Sequence, residues 1–364
     1  MLARMGNREI SAEPLPATTR ELADTQINMR ISVLDQSPVI SGHTPAHAVQ
    51  ETIKLAQAAD QLGFHRYWLA EHHNMHGLAD PCPEILLGAI GAATSRIRVG
   101  TGGVLLPYYS SAKVAEIFRM HEALFPGRVD LGIGRAPGGD MLTAKAINPI
   151  SFYASDAFPQ QVADLVGWLD DDLPDDHPFK RVRAMPAGSG SPEVWLLGSS
   201  DYSARLAAYL GVRFAFAHFI NVHGGDEVSR FYRHTFQPSQ REAIPHSLVC
   251  VFVICAPTHE QAERLAAPID HRRVLMATGR ESLVLTTEQA LACSYSEQER
   301  AIIQRERQRA IIGTPDTVKQ KLLEIQRAYE ADELMVITIT GEYASRLRSY
   351  ELLAEAFDLQ PAFA

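Results

Sequence analysis

IRVGTGGVLLPYYSSAKVAEIFRMHEALFPGRVDLGIGR, residues 97–135, holds one complete strand–helix–strand unit. Ile97 to Leu106 is an apolar run broken only by Arg98 and a cluster of glycines, and it is long enough for a strand. Ser110 and Ser111 offer capping hydroxyls, and Val114, Ile117, Phe118 and His121 follow at helical spacing as the expected buried face. Pro126-Gly127 marks a turn, and Val129 to Ile133 is a second apolar run. Strands apolar on both faces, joined through a helix, indicate a parallel sheet covered on both sides.

The unit repeats in both directions. Before it, Ile31 to Leu34 and Tyr67 to Ala70 read as strands. Between them Thr44-Pro45 starts a helix with Val49, Ile53, Ala56 and Ala59 on one face, and Gly63 stops it. Ile85, Leu86, Ile90 and Ala93 mark a further helix. After the unit, Val194 to Leu197, Phe214 to Ala217, Leu248 to Ile254 and Leu334 to Ile339 read as strands. Helical spacing recurs from Phe158 to Leu169, from Ser199 to Leu210, in Val318, Leu322 and Ile325 after Thr314-Pro315, and in Leu347, Tyr350, Ala354 and Phe357. Asp170 to Lys180 is an acidic loop without the spacing of a calcium loop. Residues 268–310 hold no clean strand–helix unit and read as an insertion. Eight such strands favour a closed (β/α)8 TIM barrel, with insertions after strands 4 and 7. No linker splits residues 29–364, which are expected to form one domain behind a flexible extension at 1–28.

The 364 residues are 46% hydrophobic with a formal net charge of −9, ample material for such a core. No long Lys/Arg run suggests nucleic acid as a partner, and no apolar run suggests a membrane span or a signal peptide. Cys82, Cys250, Cys255 and Cys293 form no C-x-x-C pair, which suits a reducing cytoplasm and no metal site.

In a barrel the chemistry lies where strands end. Gly198-Ser199-Ser200-Asp201-Tyr202-Ser203 follows a strand and opens a helix, where unpaired N–H groups and hydroxyls attract a phosphate. An ordinary helix cap has the same composition. Arg135, in the glycine-rich loop after Ile133, is either a phosphate partner or a surface arginine. Glu71-His72-His73-Asn74-Met75-His76 ends another strand; His72 and His76 stand four apart beside a carboxylate, but H-E-x-x-H is absent and a strand does not stack such a pair, so a metal is disfavoured and the choice lies between a proton-handling histidine and a structural pair. Gly100-Thr101-Gly102-Gly103 inside a strand signals close approach to a ligand, an unusual peptide geometry, or packing against a large neighbour. No G-x-G-x-x-G dinucleotide fingerprint and no G-x-S-x-G elbow is present.

Taken in order, Tyr67-Trp68-Leu69-Ala70-Glu71-His72-His73, Val99 to Pro107, Pro126 to Arg135, Trp195 to Ser200 and Gly313-Thr314-Pro315 resemble the bacterial luciferase-like flavin monooxygenases, over roughly residues 30–358. The resemblance implies a luciferase-type barrel with FMN at its C-terminal mouth. It maps the phosphate site to Ser199, Ser200, Ser203 and Arg135, beside Gly198. It maps a non-proline cis peptide under the flavin to Gly102-Gly103, the catalytic histidine to His72 and the preceding glutamate to Glu71, with Ser37 near the ring. Gly134 stands where the luciferase α chain has a reactive cysteine, and the 268–310 insertion departs from the family's lid, so an aldehyde substrate is left open.

The implied activity is a monooxygenase of the non-luminescent type, using O2 and reduced FMN supplied by a separate flavin reductase to oxidise a small apolar substrate. His72 would donate or relay a proton, or only position the flavin. The alternatives are a deazaflavin-dependent dehydrogenase on the same fold and a flavin-binding protein without turnover. A homodimer is implied through the helices after strands 2 and 3, where Gly88, Ala89, Gly91, Ala92 and Ala93 fit close helix approach between copies and packing within the chain equally well.

Overall fold

Along each barrel strand one set of alternate side chains meets the helices and the other meets the barrel axis. The computed structural model describes residues 29–136, 138–149 and 157–360; the expected extension at 1–28 lies outside the described residues. The chain runs β1 (Arg30–Asp35), α1 (Pro45–Leu62), β2 (Arg66–Leu69), α2 (Pro83–Ala93), β3 (Arg98–Leu105), α3 (Ser111–Leu124) and β4 (Val129–Gly134). It continues through α4 (Met141–Ile147), α5 (Phe158–Leu169), β5 (Glu193–Gly198), α6 (Asp201–Leu210), β6 (Arg213–Ala217), α7 (Gly225–Thr235) and β7 (Ser247–Cys255). It ends with α8 (His259–Ala277), α9 (Thr287–Leu291), α10 (Glu297–Arg307), β8 (Ala310–Gly313), α11 (Pro315–Tyr329), β9 (Glu333–Ile337) and α12 (Tyr343–Phe357).

Every strand pairing is parallel, and the β6–β7 and β1–β9 pairings close β1 to β7 and β9 into an eight-stranded (β/α)8 barrel. These are the eight strands that the apolar runs indicate. β8 is a ninth strand outside the ring. Leu248 to Phe252 of β7 pair with β9, and Phe252 to Cys255 pair with β8. The segment 268–310 is therefore more ordered than its pattern suggests: it holds the second half of α8, then α9 and α10, and leads into a parallel strand. The insertion after β4 carries α4 and α5.

Local signals act where they stand. The Thr44 hydroxyl accepts from the His47 N–H at 3.2 Å, and Gly63 closes α1 at φ 87°. On α2 the buried stripe is Leu86, Leu87 and Ile90; Ile85, expected on that stripe, is 72% exposed because it lies one position off it. On α3, Val114, Phe118 and His121 are buried and Ile117 is half-buried.

The barrel interior is layered. At the bottom Arg66 is buried with Asp130 at 2.7 Å and Glu333 at 2.8 Å, and Arg98 also reaches Asp130. Burial alone would lower the Arg66 pKa, but Asp130, Glu333 and Glu193 outweigh it and the net shift is upward. Above this layer Trp68 and Trp195 meet edge to face with ring centroids 5.5 Å apart, and Trp68 Nε1 donates to Asp130 at 2.9 Å. The top layer is built from Ala70, Gly102, Gly134 and Ala217, too small to fill the barrel. Bulk below and small residues above open a cavity at the C-terminal mouth.

Candidate active site

That space is a cavity of about 290 Å³. Glu71 and His72 line it from the end of β2, Gly102 and Gly103 from β3, and Arg135 from the end of β4. Gly198, Ser199, Ser200 and Ser203 line it from β5 and the start of α6. The structure thus brings together four stretches far apart in sequence. Ser37 does not line the cavity. Its N–H donates to Asp35 Oδ1 at 2.7 Å, which turns the residue to φ 50°, and its hydroxyl accepts from Thr52 of α1 at 3.0 Å. Ser37 is thus spent in holding the loop, and its neighbour Gln36 faces the cavity instead.

At the α6 side the site is rich in donors. Ser200 is extended and makes no side-chain capping bond, so the N–H groups of the first turn remain unpaired within the helix. The Arg135 guanidinium carbon lies 4.0 Å from the ring centroid of Tyr202, which places its positive charge beside this helix start. Asn221 Nδ2 donates to the Ser199 carbonyl at 3.0 Å and fixes the turn. Gly198 is demanded by packing: a Cβ there would lie 2.7 Å from Ser203 Cβ. The one acid of this turn, Asp201, pairs with Arg205 at 3.0 Å.

In the middle, the Gly102-Gly103 peptide is cis, and the β3–β4 register shifts between Thr101 and Val104. A Cβ on Gly102 would come within 2.8 Å of Leu34 and 3.0 Å of Trp68. Unusual peptide geometry and a large neighbour therefore both account for the glycine run.

At the β2 side the carboxylate of Glu71 is buried and fully engaged. Oε2 accepts from the Leu105 N–H at 2.8 Å; Oε1 accepts from the Tyr109 hydroxyl at 2.7 Å and faces His73 Nε2 at 2.6 Å. It ties the loop after β2 to the end of β3. His72 Nδ1 faces the Ala70 carbonyl at 3.2 Å. Burial, helped by the nearby Arg272 charge, lowers the His72 pKa to about 4, so the ring is neutral near pH 7. With Nδ1–H donating to Ala70, Nε2 presents a lone pair, and the ring is set up to accept a proton or a hydrogen bond. Reading the sequence missed Tyr109, Asn221 and Arg272, whose importance comes from neighbours brought in by other elements.

The sequence profile of the luciferase-like monooxygenases matches residues 29–330. The chain is 38% identical to the N-acetyl-S-alkylcysteine monooxygenase of Bacillus subtilis over 331 residues, 90% of this chain and 98% of that one. Among solved structures, apo-MsnO8 superposes with a TM-score of 0.82 at 38% identity, covering 93% of this chain and all (100%) of that one. The oxygenating constituent of 3,6-diketocamphane monooxygenase from Pseudomonas putida, solved in complex with FMN, shares the fold with a TM-score of 0.65 at 18% identity, covering 90% and 97% of the two chains. Barrel, ordered motifs and near-full-length similarity agree: the chain belongs to the luciferase-like monooxygenase family.

Proposed function

We propose that this protein is the oxygenase component of a two-component monooxygenase, working with O2 and with reduced FMN delivered by a separate flavin reductase. The observation that carries the reading is a single cavity with phosphate donors at one end and a neutral histidine at the other. The residues fit FMN. Unpaired N–H groups of α6, the hydroxyls of Ser199, Ser200 and Ser203, and Arg135 would hold the phosphate. Leu34, Trp68 and the Gly102-Gly103 peptide would support the ring system. When bound, reduced FMN supplies the electrons that activate O2. Glu71 holds the loop that carries His72, and His72 accepts a proton or a hydrogen bond at Nε2. With the cofactor bound, the apolar lining from Leu197 and Phe219 would limit the access of water.

The substrate is a small organic molecule. An aldehyde and an S-alkyl compound, the latter suggested by the Bacillus relative's substrate, are the first classes to test. The chain has no dinucleotide fingerprint, which supports a separate reductase. The four free cysteines suit the cytoplasm. Residues 29–364 act as one barrel domain. A homodimer through α2 and α3 fits the exposed Ile85, Met120 and Leu124 on their outer faces.

The test combines binding with turnover. FMN, riboflavin and a deazaflavin are compared by equilibrium dialysis; oxygen uptake and ¹⁸O incorporation are then followed with a reductase and candidate substrates. FMN binding tighter than riboflavin, with ¹⁸O in the product, is the expected result. Preference for the deazaflavin, with hydride transfer and no oxygen uptake, would replace the reading by a dehydrogenase. FMN binding without turnover of any substrate class would leave a flavin carrier.

A further inference from the structure

Asp80 lies in the loop between β2 and α2 and is 2% exposed. Its carboxyl is only half satisfied. Oδ1 accepts from the Cys82 N–H at 3.2 Å; among the described residues Oδ2 has no hydrogen-bond partner and no cation pairs with the group. The titratable groups that face it are acids and a thiol: Asp35 from the end of β1, Glu71 from the end of β2, and Cys82 and Glu84 at the start of α2. Arg346 pairs with Asp35 at 2.5 Å and His73 with Glu71 at 2.6 Å, so neither is offered to Asp80. An ionised Asp80 would be an uncompensated buried charge among like charges, which is costly. Burial first, then Asp35, Glu84 and Glu71, outweigh the Cys82 hydrogen bond and raise its pKa to about 7.

The same residue is joined to His72 through the backbone. The Asp80 carbonyl accepts from the His72 N–H at 3.0 Å and so clasps the two ends of the loop 72–80. The other ties of this loop to the rest of the chain are single backbone bonds: Val39 N–H to the Gly77 carbonyl at 3.0 Å, Ala79 N–H to the Ser37 carbonyl at 2.9 Å and His73 N–H to the Gly138 carbonyl at 3.0 Å. None belongs to a helix or a barrel strand. A segment held in this way opens at less cost than the barrel beneath it.

We propose that Asp80 is the positioning residue of His72: with its carboxyl neutral the loop lies closed and His72 faces the cavity, and with the proton lost the carboxylate turns out to water and the clasp on His72 opens. The neutral form is favoured only in the closed loop. Closure is therefore weakened as pH rises from about 4 to about 7, and no further above that. The inference deepens the monooxygenase reading, in which His72 handles a proton or a hydrogen bond, but the loop movement is read on the flavin-free protein.

The experiment is nitrogen NMR of flavin-free protein labelled with ¹⁵N-histidine, at pH 5.5 and pH 8, with His72 assigned from His72→Gln. In the closed loop the Ala70 carbonyl holds the ring as the Nδ1–H tautomer. Wild type is expected to show that tautomer at pH 5.5 and a mixture at pH 8. Asp80→Asn, which keeps the Cys82 bond and cannot ionise, is expected to show the single tautomer at both. A loss of global stability does not change the tautomer of the folded state, so the readout separates positioning from mere support. A single tautomer in wild type at pH 8, or the same mixture in Asp80→Asn, would overturn the proposal; the wild-type spectra decide alone where the variant fails to fold. FMN affinity is measured beside it. The FMN phosphate itself titrates at about pH 6, so wild type is compared with Asp80→Asn at each pH. Equal affinities are expected at pH 5.5, and roughly tenfold weaker binding by wild type at pH 8, as for a loop closed a tenth of the time. Equal affinities at both pH values would also overturn the proposal. A tautomer change without FMN binding at any pH would sink the oxygenase reading and leave the role of Asp80 standing.

Discussion

Asp80 is a buried carboxyl in the loop that carries His72, with Oδ1 accepting from the Cys82 N–H at 3.2 Å and Oδ2 unpartnered. Burial, with the nearby acids Asp35, Glu84 and Glu71, pushes its pKa up to about 7 from 3.8. A raised carboxyl contributes stability that is complete below the unfolded pKa and is lost as pH rises through the folded one, here between about 4 and 7. The largest loss is ~4 kcal/mol. Asp80→Asn, which keeps the Cys82 bond, should be more stable than wild type at pH 8 and match it at low pH; parallel melting curves across that range would refute this by showing equal offsets. His72 runs the other way. Its ring should stay neutral through about pH 6, and a nitrogen NMR titration with a midpoint near the ordinary histidine value of 6.5 would contradict the burial argument. At this scale the sequence indicated most of the residues that line the mouth, because Glu71, His72, Arg135 and Ser199 lie just past apolar runs. It did not disclose orientation. Ser37 turns from the cavity because Asp35 captures its N–H, and that capture does not lie in local pattern.

The start of α6 joins the Arg135 guanidinium, stacked on Tyr202, to three serine hydroxyls and unpaired N–H groups. Each charge-assisted contact to a phosphate is worth about 1.5–3 kcal/mol. Arg135→Ala should therefore weaken FMN binding by roughly 10-fold or more while leaving riboflavin binding nearly unchanged. Equal losses for both ligands would move Arg135 from the phosphate to the ring or to the fold. Most elements were legible because strand runs and helical stripes are long enough to show a period; α5 has the bounds that its pattern indicates. β8 escaped because Ala310-Ile311-Ile312-Gly313 is too short to display alternation. Its strand geometry is imposed by β7, whose last residues have finished pairing with β9 and still offer a free edge.

For the molecule as a whole, the buried ionic layer at the barrel bottom joins four strands through Arg66, Asp130, Glu193 and Glu333. Removing one partner strands the others, so Arg66→Met should cost about 3–5 kcal/mol in a denaturant midpoint, and a variant as stable as wild type would show that the layer is not cooperative. The outer faces of α2 and α3 present Ile85 and Leu124, the latter 58% exposed. A double Ile85→Glu, Leu124→Glu variant should run as a monomer by light scattering if this face joins two copies. An unchanged mass would place any dimer elsewhere. The barrel was readable from its repeated units, since parallel strands buried on both faces leave few other closures. The layering inside it was not, because Arg66 and Trp68 look alike to any local rule until the strands bring Asp130 and Trp195 opposite them.

The aromatic pair above the ionic layer has an optical consequence. The chain has three tryptophans; Trp68 lines the cavity, and Trp195 packs edge to face against it. Indole emission overlaps flavin absorption, so a flavin in the cavity would drain the excited state of both rings by energy transfer. Trp168, on α5, would remain the brighter emitter. The native protein would then carry its own gauge of occupancy: fluorescence at a single wavelength pair would follow cofactor loading in real time, with no label added.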